Sequence, residues 1–347
     1  MHSGRGSVAP CQVPGIVGVT VRVGRSAEIS LHGTESAARM MLVRRYEGFV
    51  FDSSRWDGFE LRPGDIIIST PPKCGTTWTQ MICALLVLQE SELPLPLDTL
   101  SPWIDMVNRA RTEVFADLDA QTHRRFIKTH TPLDGIPNDP TVTYICVGRD
   151  PRDVALSMDR HIDNTDVDAF LEARERAAAI DGIELGPLQR PPPRPNGERD
   201  RFWHWVDDDT PSTRSGSSLR FTVEHLQTFR CAADDVDVVF LHYDDLRVDL
   251  DGQMRQLSAR LGIDIDEDRW PRLVRAATFE SMRSRADTTV PGGGPEHWID
   301  PAAFFSRGTS GQWRDFLDDA DRARYAVRVR ALASDDLVGW LHRAPID

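Results

Sequence analysis

The chain has no apolar run approaching the roughly eighteen residues that a membrane-crossing helix needs, so no helical span is expected. Near the N-terminus there is only a weak apolar patch around residues 17–23, broken by Arg22. It is too short for the core of a signal peptide, and a cytoplasmic location is the expectation. Positive charge is also in short supply. Lys plus Arg number 41 against 54 Asp plus Glu, a formal net charge of −13, which argues against a general nucleic-acid binder and makes any basic site a local exception. The five cysteines, at 11, 74, 83, 146 and 231, include no CxxC pair and no metal-ligand spacing, and their odd number suits reduced thiols. No metal site is expected. What the chain does have is 347 residues, 40% of them hydrophobic, enough for one α/β domain with a full core. Residues 1–38, rich in Gly and Ser, are expected to be a disordered extension ahead of a domain over 39–347.

Ile66-Ile67-Ile68 reads as a short strand covered on both faces, and Pro71-Pro72 stops it. Gly75 permits a tight turn, and Thr76-Thr77 open a helix whose apolar side is Met81, Ile82, Leu85, Leu86 and Leu88. A helix N-terminus offers unpaired N–H groups and about half a positive charge, so with Lys73 and two hydroxyls the turn makes a cradle for phosphate or sulfate. Taken alone, the segment also admits a lesser reading, a strand-to-helix turn with an incidental lysine. One further absence matters: the Gly-Lys-Ser/Thr ending of a Walker A loop is missing, because Lys73 precedes Gly75. Trp78 follows instead, with a flat face on which a purine can stack.

The run from Pro72 to Trp78, Pro-Lys-Cys-Gly-Thr-Thr-Trp, closely resembles the 5′-phosphosulfate loop of the soluble sulfotransferases. Those enzymes move a sulfuryl group from 3′-phosphoadenosine 5′-phosphosulfate (PAPS) to an acceptor hydroxyl or amine. Cys74 stands where the family has serine and gives up one good hydrogen-bonding group. Three more segments follow in the family's order. Lys128-Thr129-His130-Thr131-Pro132 ends a short strand, where ligands gather in open α/β sheets; it matches the family's Lys-Thr-His-x-Pro signature. Arg149-Asp150-Pro151-Arg152-Asp153 to Ser157 matches the 3′-phosphate frame, with Asp150 and Pro151 as helix-start signals. Ser306-Arg307-Gly308 to Trp313 resembles the glycine-rich Arg-Lys-Gly-x-x-Gly-Asp-Trp loop, with Ser306 in place of the first arginine and Gln312 in place of the aspartate. One charge-assisted contact to the phosphate is therefore missing or supplied from elsewhere.

The resemblance implies an α/β domain with a central parallel sheet flanked by helices and a P-loop-like 5′-phosphosulfate-binding loop. It implies that Lys73, Cys74, Gly75, Thr76, Thr77, Trp78, Arg149, Ser157, Phe279, Arg307 and Gly308 bind PAPS. His130 is implied as the general base for in-line transfer, with Lys73 and Lys128 offsetting charge on the transferring and bridging oxygens. On the residues alone, Arg149 is also read as a cap on a neighbouring carbonyl. A sulfuryl group carries less charge than a γ-phosphate, so two lysines and backbone N–H groups can take the place of Mg²⁺. The expected acceptor is a small-molecule or lipid hydroxyl, and the resemblance is closest to actinobacterial members, for some of which glycolipid acceptors are suspected. The family's dimerisation signature is absent after Trp313, which leaves homodimerisation in doubt.

Elsewhere the sequence is less informative. Around residues 160–220 it turns charged and proline-rich and reads as an irregular insertion, in which Phe202, Trp203 and Trp205 form part of a lid or a surface helix packed on the domain. Trp103 reads better as core than as pocket. Two rivals remain: a P-loop-like phosphotransferase, which the absent Walker A ending disfavours, and a non-catalytic nucleotide-binding protein of the same fold, which the retained His130, Lys73 and Lys128 disfavour.

Overall fold

The computed structural model describes residues 44–188, 190–291, 297–344 and 346; the extension expected over 1–38 lies outside them. In chain order the elements are β1 (Ile66–Ser69), α1 (Thr76–Leu88), α2 (Leu97–Leu100), α3 (Arg111–Ala120), β2 (Phe126–Thr129), β3 (Thr143–Gly148), α4 (Pro151–Asp163), α5 (Val167–Asp181), α6 (Glu198–Asp207), α7 (Leu219–Cys231), β4 (Val238–His242), α8 (Tyr243–Val248), α9 (Leu250–Leu261), α10 (Trp270–Ala276), α11 (Phe279–Ser284), α12 (Ala286–Thr289), α13 (Asp319–Leu332) and α14 (Asp335–His342).

The four strands pair in parallel in the order β2-β1-β3-β4. Alternation along β1 explains its uninterrupted isoleucines. Ile66 and Ile68 pack with Met81, Leu85, Leu257 and Leu273 on one side of the sheet, while Ile67 packs with Val154, Leu226 and Tyr325 on the other. The chain leaves β1 toward β2 on one side and β3 lies on the other, so the crevice at the carboxyl end of β1 is a topological switch point. Register aligns Ser69 with Thr129 and Gly148 with His242, which brings the turns after all four strands to one edge.

The stretch around 160–220 is more ordered than its composition suggests. It holds the end of α4, all of α5 and α6, and the start of α7. Asp166 caps α5 by accepting from the Ala169 N–H, and Gly182 closes it at φ 68°. Phe170, Ala173 and Ala177 form its buried stripe. The arginines that read as solvated charge are paired: Arg201 grips Asp159 with two bonds of 2.7 and 2.9 Å, and Arg194 bonds Asp163 at 2.7 Å. Helix α6 buries Phe202, Trp203 and Trp205 against the domain.

Candidate active site

A cavity of about 590 Å³ opens at this edge, and the β1–α1 turn forms one of its walls. Pro71 and Pro72 end the strand, after which Lys73 adopts a left-handed φ of 67° and Gly75 one of 113°. That conformation costs a lysine on the order of 1 kcal/mol and needs an external hold. Arg149 supplies one, donating from Nη1 to the Lys73 carbonyl at 2.9 Å. Gly75 is required twice over, since a Cβ there would also come within 3.2 Å of the Tyr243 ring. The turn delivers Thr76, Thr77 and Trp78 to the cavity wall at the start of α1, where helix geometry leaves N–H groups without intrahelical acceptors.

His130 follows β2 and is 6% exposed. Its Nδ1 lies 2.6 Å from the Thr70 carbonyl oxygen. A carbonyl only accepts, so Nδ1 carries the proton and Nε2 is left with its lone pair. Burial, reinforced by Lys128, pushes the imidazole well below its ordinary 6.5, which keeps it neutral. The ring stands edge-on to Trp103 at 4.6 Å. Trp103, expected in the core, is only half-buried and lines the cavity. Its placement follows from Asp105, a fully buried carboxylate that accepts from Trp103 Nε1 (2.5 Å), Trp56 Nε1 (3.1 Å), Thr129 Oγ1 (2.5 Å) and Thr131 Oγ1 (2.6 Å).

Both lysines reach the same space. Lys128 Nζ sits 4.2 Å from the Trp103 ring centre, and burial lowers its pKa to about 7 against the pull of Asp105. Lys73 Nζ lies 4.3 Å over Phe304 and 3.3 Å from His161 Nδ1. Burial, then Arg149 and Lys128, lower it to about 7 as well. Part of Lys73 opens on the cavity whereas Lys128 is 3% exposed, so the depression is firmer at Lys128. Burial and Lys73 hold His161 well below 6.5, so it stays neutral and its Nδ1 accepts a hydrogen bond from the Lys73 ammonium.

A second group of side chains lies along α4 and the 306–312 turn. Arg149 is 5% exposed, stacks 4.1 Å from the Tyr243 ring centre and also bonds the Thr309 carbonyl at 3.1 Å, so it does cap carbonyls. Its Nε is nevertheless buried without a partner among the described residues, and the residue lines the cavity with Ser157, Arg307 and Gly308. Asp153 accepts from the N–H groups of Gly311 (2.6 Å) and Gln312 (2.9 Å) and so fastens the turn to α4. Gly308, at φ 62°, lies against Phe279, whose ring a Cβ there would approach to 2.6 Å. Phe279 opens α11 and shares the wall with Trp78, whose Nε1 donates to the Ala277 carbonyl at 2.8 Å. The remaining wall carries an apolar patch of Phe49, Phe51, Trp103, Met106, Phe170 and Trp205, beside charged and polar side chains such as Arg201, Asp208 and Arg214.

Every residue expected at the site lines this cavity except Cys74. The Cys74 side chain is fully buried in the core, where burial raises its thiol to about 12, and its N–H turns back to the Pro71 carbonyl at 3.3 Å. It is a packing residue because the loop's left-handed kinks point it under the sheet edge. Sequence reasoning missed Arg160, His161 and Asp105. The first two carried a usable signal: with Asp153 and Ser157, Arg160 falls at i, i+4, i+7 on α4, and His161 is four residues beyond Ser157. Asp105 stands among loop residues and carried none.

A family model described as "Sulfotransferase domain" matches residues 63–335. Over 312 residues the chain is 40% identical to a glycolipid sulfotransferase of Mycobacterium tuberculosis, covering 86% of this chain and 93% of that protein. It is 24% identical over 297 residues to sulfotransferase 1A1 of Bos taurus, covering 79% and 86%. A mouse sulfotransferase complexed with PAP matches with TM-score 0.60 at 19% identity, over 84% of this chain and 94% of that one. Retinol dehydratase in a complex with retinol and PAP matches with TM-score 0.56 at 20% identity, over 81% and 84%. These two solved structures bear on the fold, which they share.

Proposed function

The chain belongs to the sulfotransferase family, and from that premise we propose that it moves the sulfuryl group of PAPS to a hydroxyl of an amphiphilic, glycolipid-like acceptor in the cytoplasm, with His130 as general base. The observation that carries the proposal is the bond from His130 Nδ1–H to the Thr70 carbonyl, which leaves Nε2 unprotonated on a ring that lines the cavity with Lys73, Lys128 and Trp103. The glycolipid class rests on the relative at 40% identity and agrees with the ring-lined wall.

The residues present fit the co-substrate. Arg149 Nε is a buried donor awaiting an acceptor, and two lysines with depressed pKa values mark uncompensated positive charge. When bound, PAPS supplies the sulfuryl group and leaves as 3′,5′-adenosine bisphosphate. Arg149, Ser157 and Arg307 hold the 3′-phosphate, and Lys73 with the N–H groups at the start of α1 holds the 5′ end. Trp78 and Phe279 flank the adenine. His130 Nε2 takes the acceptor hydroxyl's proton as the new S–O bond forms and the bridging S–O bond breaks. Lys73 and Lys128 offset the charge that builds on the bridging and transferring oxygens.

Incubating the purified chain with radiolabelled PAPS or radiolabelled ATP and a panel of glycolipid and simple hydroxyl acceptors, each with EDTA and with added Mg²⁺, tests this. Label transferred to a glycolipid hydroxyl is the expected result. Metal-dependent transfer from ATP, with none from PAPS, would overturn it.

A further inference from the structure

Arg160 lies one turn beyond Ser157 on the stripe of α4 that faces the cavity. Its guanidinium is held from two sides: Nε donates to Ser306 Oγ at 3.3 Å, and Nη2 donates to Gln312 Oε1 at 2.8 Å. Both acceptors are neutral, so they orient the group without cancelling its charge. The nearby carboxylate of Asp153 is engaged by the Gly311 and Gln312 N–H groups. Burial, and then the repulsion of Arg307 and Arg149, which outranks the attraction of Glu198 and Asp153, depress the Arg160 pKa. Three arginines thus line one cavity, Arg149 buried, Arg160 half-buried and Arg307 exposed, an arrangement of like charge that an anion relieves.

We propose that Arg160 is the third guanidinium of the 3′-phosphate pocket, steered into it by Ser306 and Gln312. The proposal rests on the reading that Arg149, Ser157 and Arg307 hold that phosphate. Ser306 and Gln312 are the positions at which the 306–313 segment loses the charge of the sulfotransferase pattern, Arg307 for lysine keeping it, and one helical residue accounts for both. A short side chain at 306 leaves room for Arg160 to cross from α4. An amide at 312 presents an oxygen to it, where a carboxylate would neutralise it. The charge missing from the loop is supplied by the helix.

Calorimetric titration of the full chain with adenosine 3′,5′-bisphosphate and with adenosine 5′-monophosphate tests this. Arg160→Gln should weaken the bisphosphate on the order of tenfold to a hundredfold and the monophosphate less than twofold. Arg160→Lys, which keeps the stem and the charge, should give an intermediate loss and guards against a variant that misfolds. Adding Ser306→Arg to Arg160→Gln should restore most of the bisphosphate affinity. If Arg160→Gln weakens both nucleotides equally, or neither, the inference is overturned. Arg149→Ala and Arg307→Ala separate it from the reading beneath it. Should they lose the discrimination while Arg160→Gln keeps it, only the role of Arg160 falls; should none of the three lose it, the 3′-phosphate is bound elsewhere and both fall together.

Discussion

On the side of the cavity proposed for the nucleotide, three short stretches supply nearly everything: the 70–78 turn, the 149–161 stretch that runs into α4, and the 306–312 turn. They are tied to one another through backbone atoms, as where Arg149 holds the carbonyls of Lys73 and Thr309 and Asp153 holds the N–H groups of Gly311 and Gln312. The acceptor side is assembled differently. Phe49, Phe51, Trp103, Met106, Phe170 and Trp205 come from scattered parts of the chain, and Phe49 meets Phe170 ring to ring at 5.3 Å. An anion needs fixed donors, left-handed turns and a helix end, and few residues satisfy those demands. An apolar surface needs volume, which many residues provide. The nucleotide side is therefore constrained residue by residue and the acceptor side only in aggregate.

If the two sides are separable and meet at His130, substitutions should sort cleanly. The largest effect belongs at the junction: His130→Ala should lower kcat by roughly 10² to 10⁴ while calorimetry finds the affinity for adenosine 3′,5′-bisphosphate unchanged within about twofold. Next, Arg149→Ala should erase most of the preference for the bisphosphate over the 5′-monophosphate, a loss of roughly tenfold to a hundredfold, with the acceptor KM unaffected. On the opposite wall, Phe170→Ala should raise the KM for an apolar acceptor about tenfold and cost about 3 kcal/mol of stability, leaving nucleotide affinity alone. The smallest functional effect is expected at the motif residue whose side chain is turned into the core, away from the cavity. Cys74→Ser should leave nucleotide affinity within about twofold and lower stability by about 1 to 2 kcal/mol, seen in denaturant titration, because a hydroxyl replaces a thiol in the core. A tenfold change in nucleotide affinity in Cys74→Ser or Phe170→Ala would break the separation.

The same contrast governs what could be read without coordinates. The isoleucines of β1, the Pro151 start of α4 and the strand-end His130 each obey a local rule, so the parallel sheet, its switch point and most of the residues that line this side of the cavity were legible. Trp103 was not, because its exposure depends on Asp105, which gathers donors from Trp56, Trp103, Thr129 and Thr131 only after the chain has folded. Residues 160–220 misled for a related reason. Their arginines look solvated in sequence, but their carboxylate partners, Asp159 and Asp163, sit on a different element, and the helices α5 and α6 are stabilised by packing more than by local pattern. Arg160 was lost at the boundary of that stretch although its spacing from Ser157 marked it.

The central claim is that a neutral His130, fixed as the Nδ1–H tautomer by Thr70, takes the acceptor proton at Nε2. Its most direct test is the pH profile of kcat/KM for sulfuryl transfer in wild type and in His130→Ala. The neutral form is the active one, and burial lowers its pKa, so the active form persists into more acidic solution than for a free imidazole. The wild-type profile should therefore carry an acid limb with its midpoint below 6.5, and the residual activity of His130→Ala should lack it. A limb that survives in His130→Ala, or a wild-type limb well above 6.5, would contradict the claim.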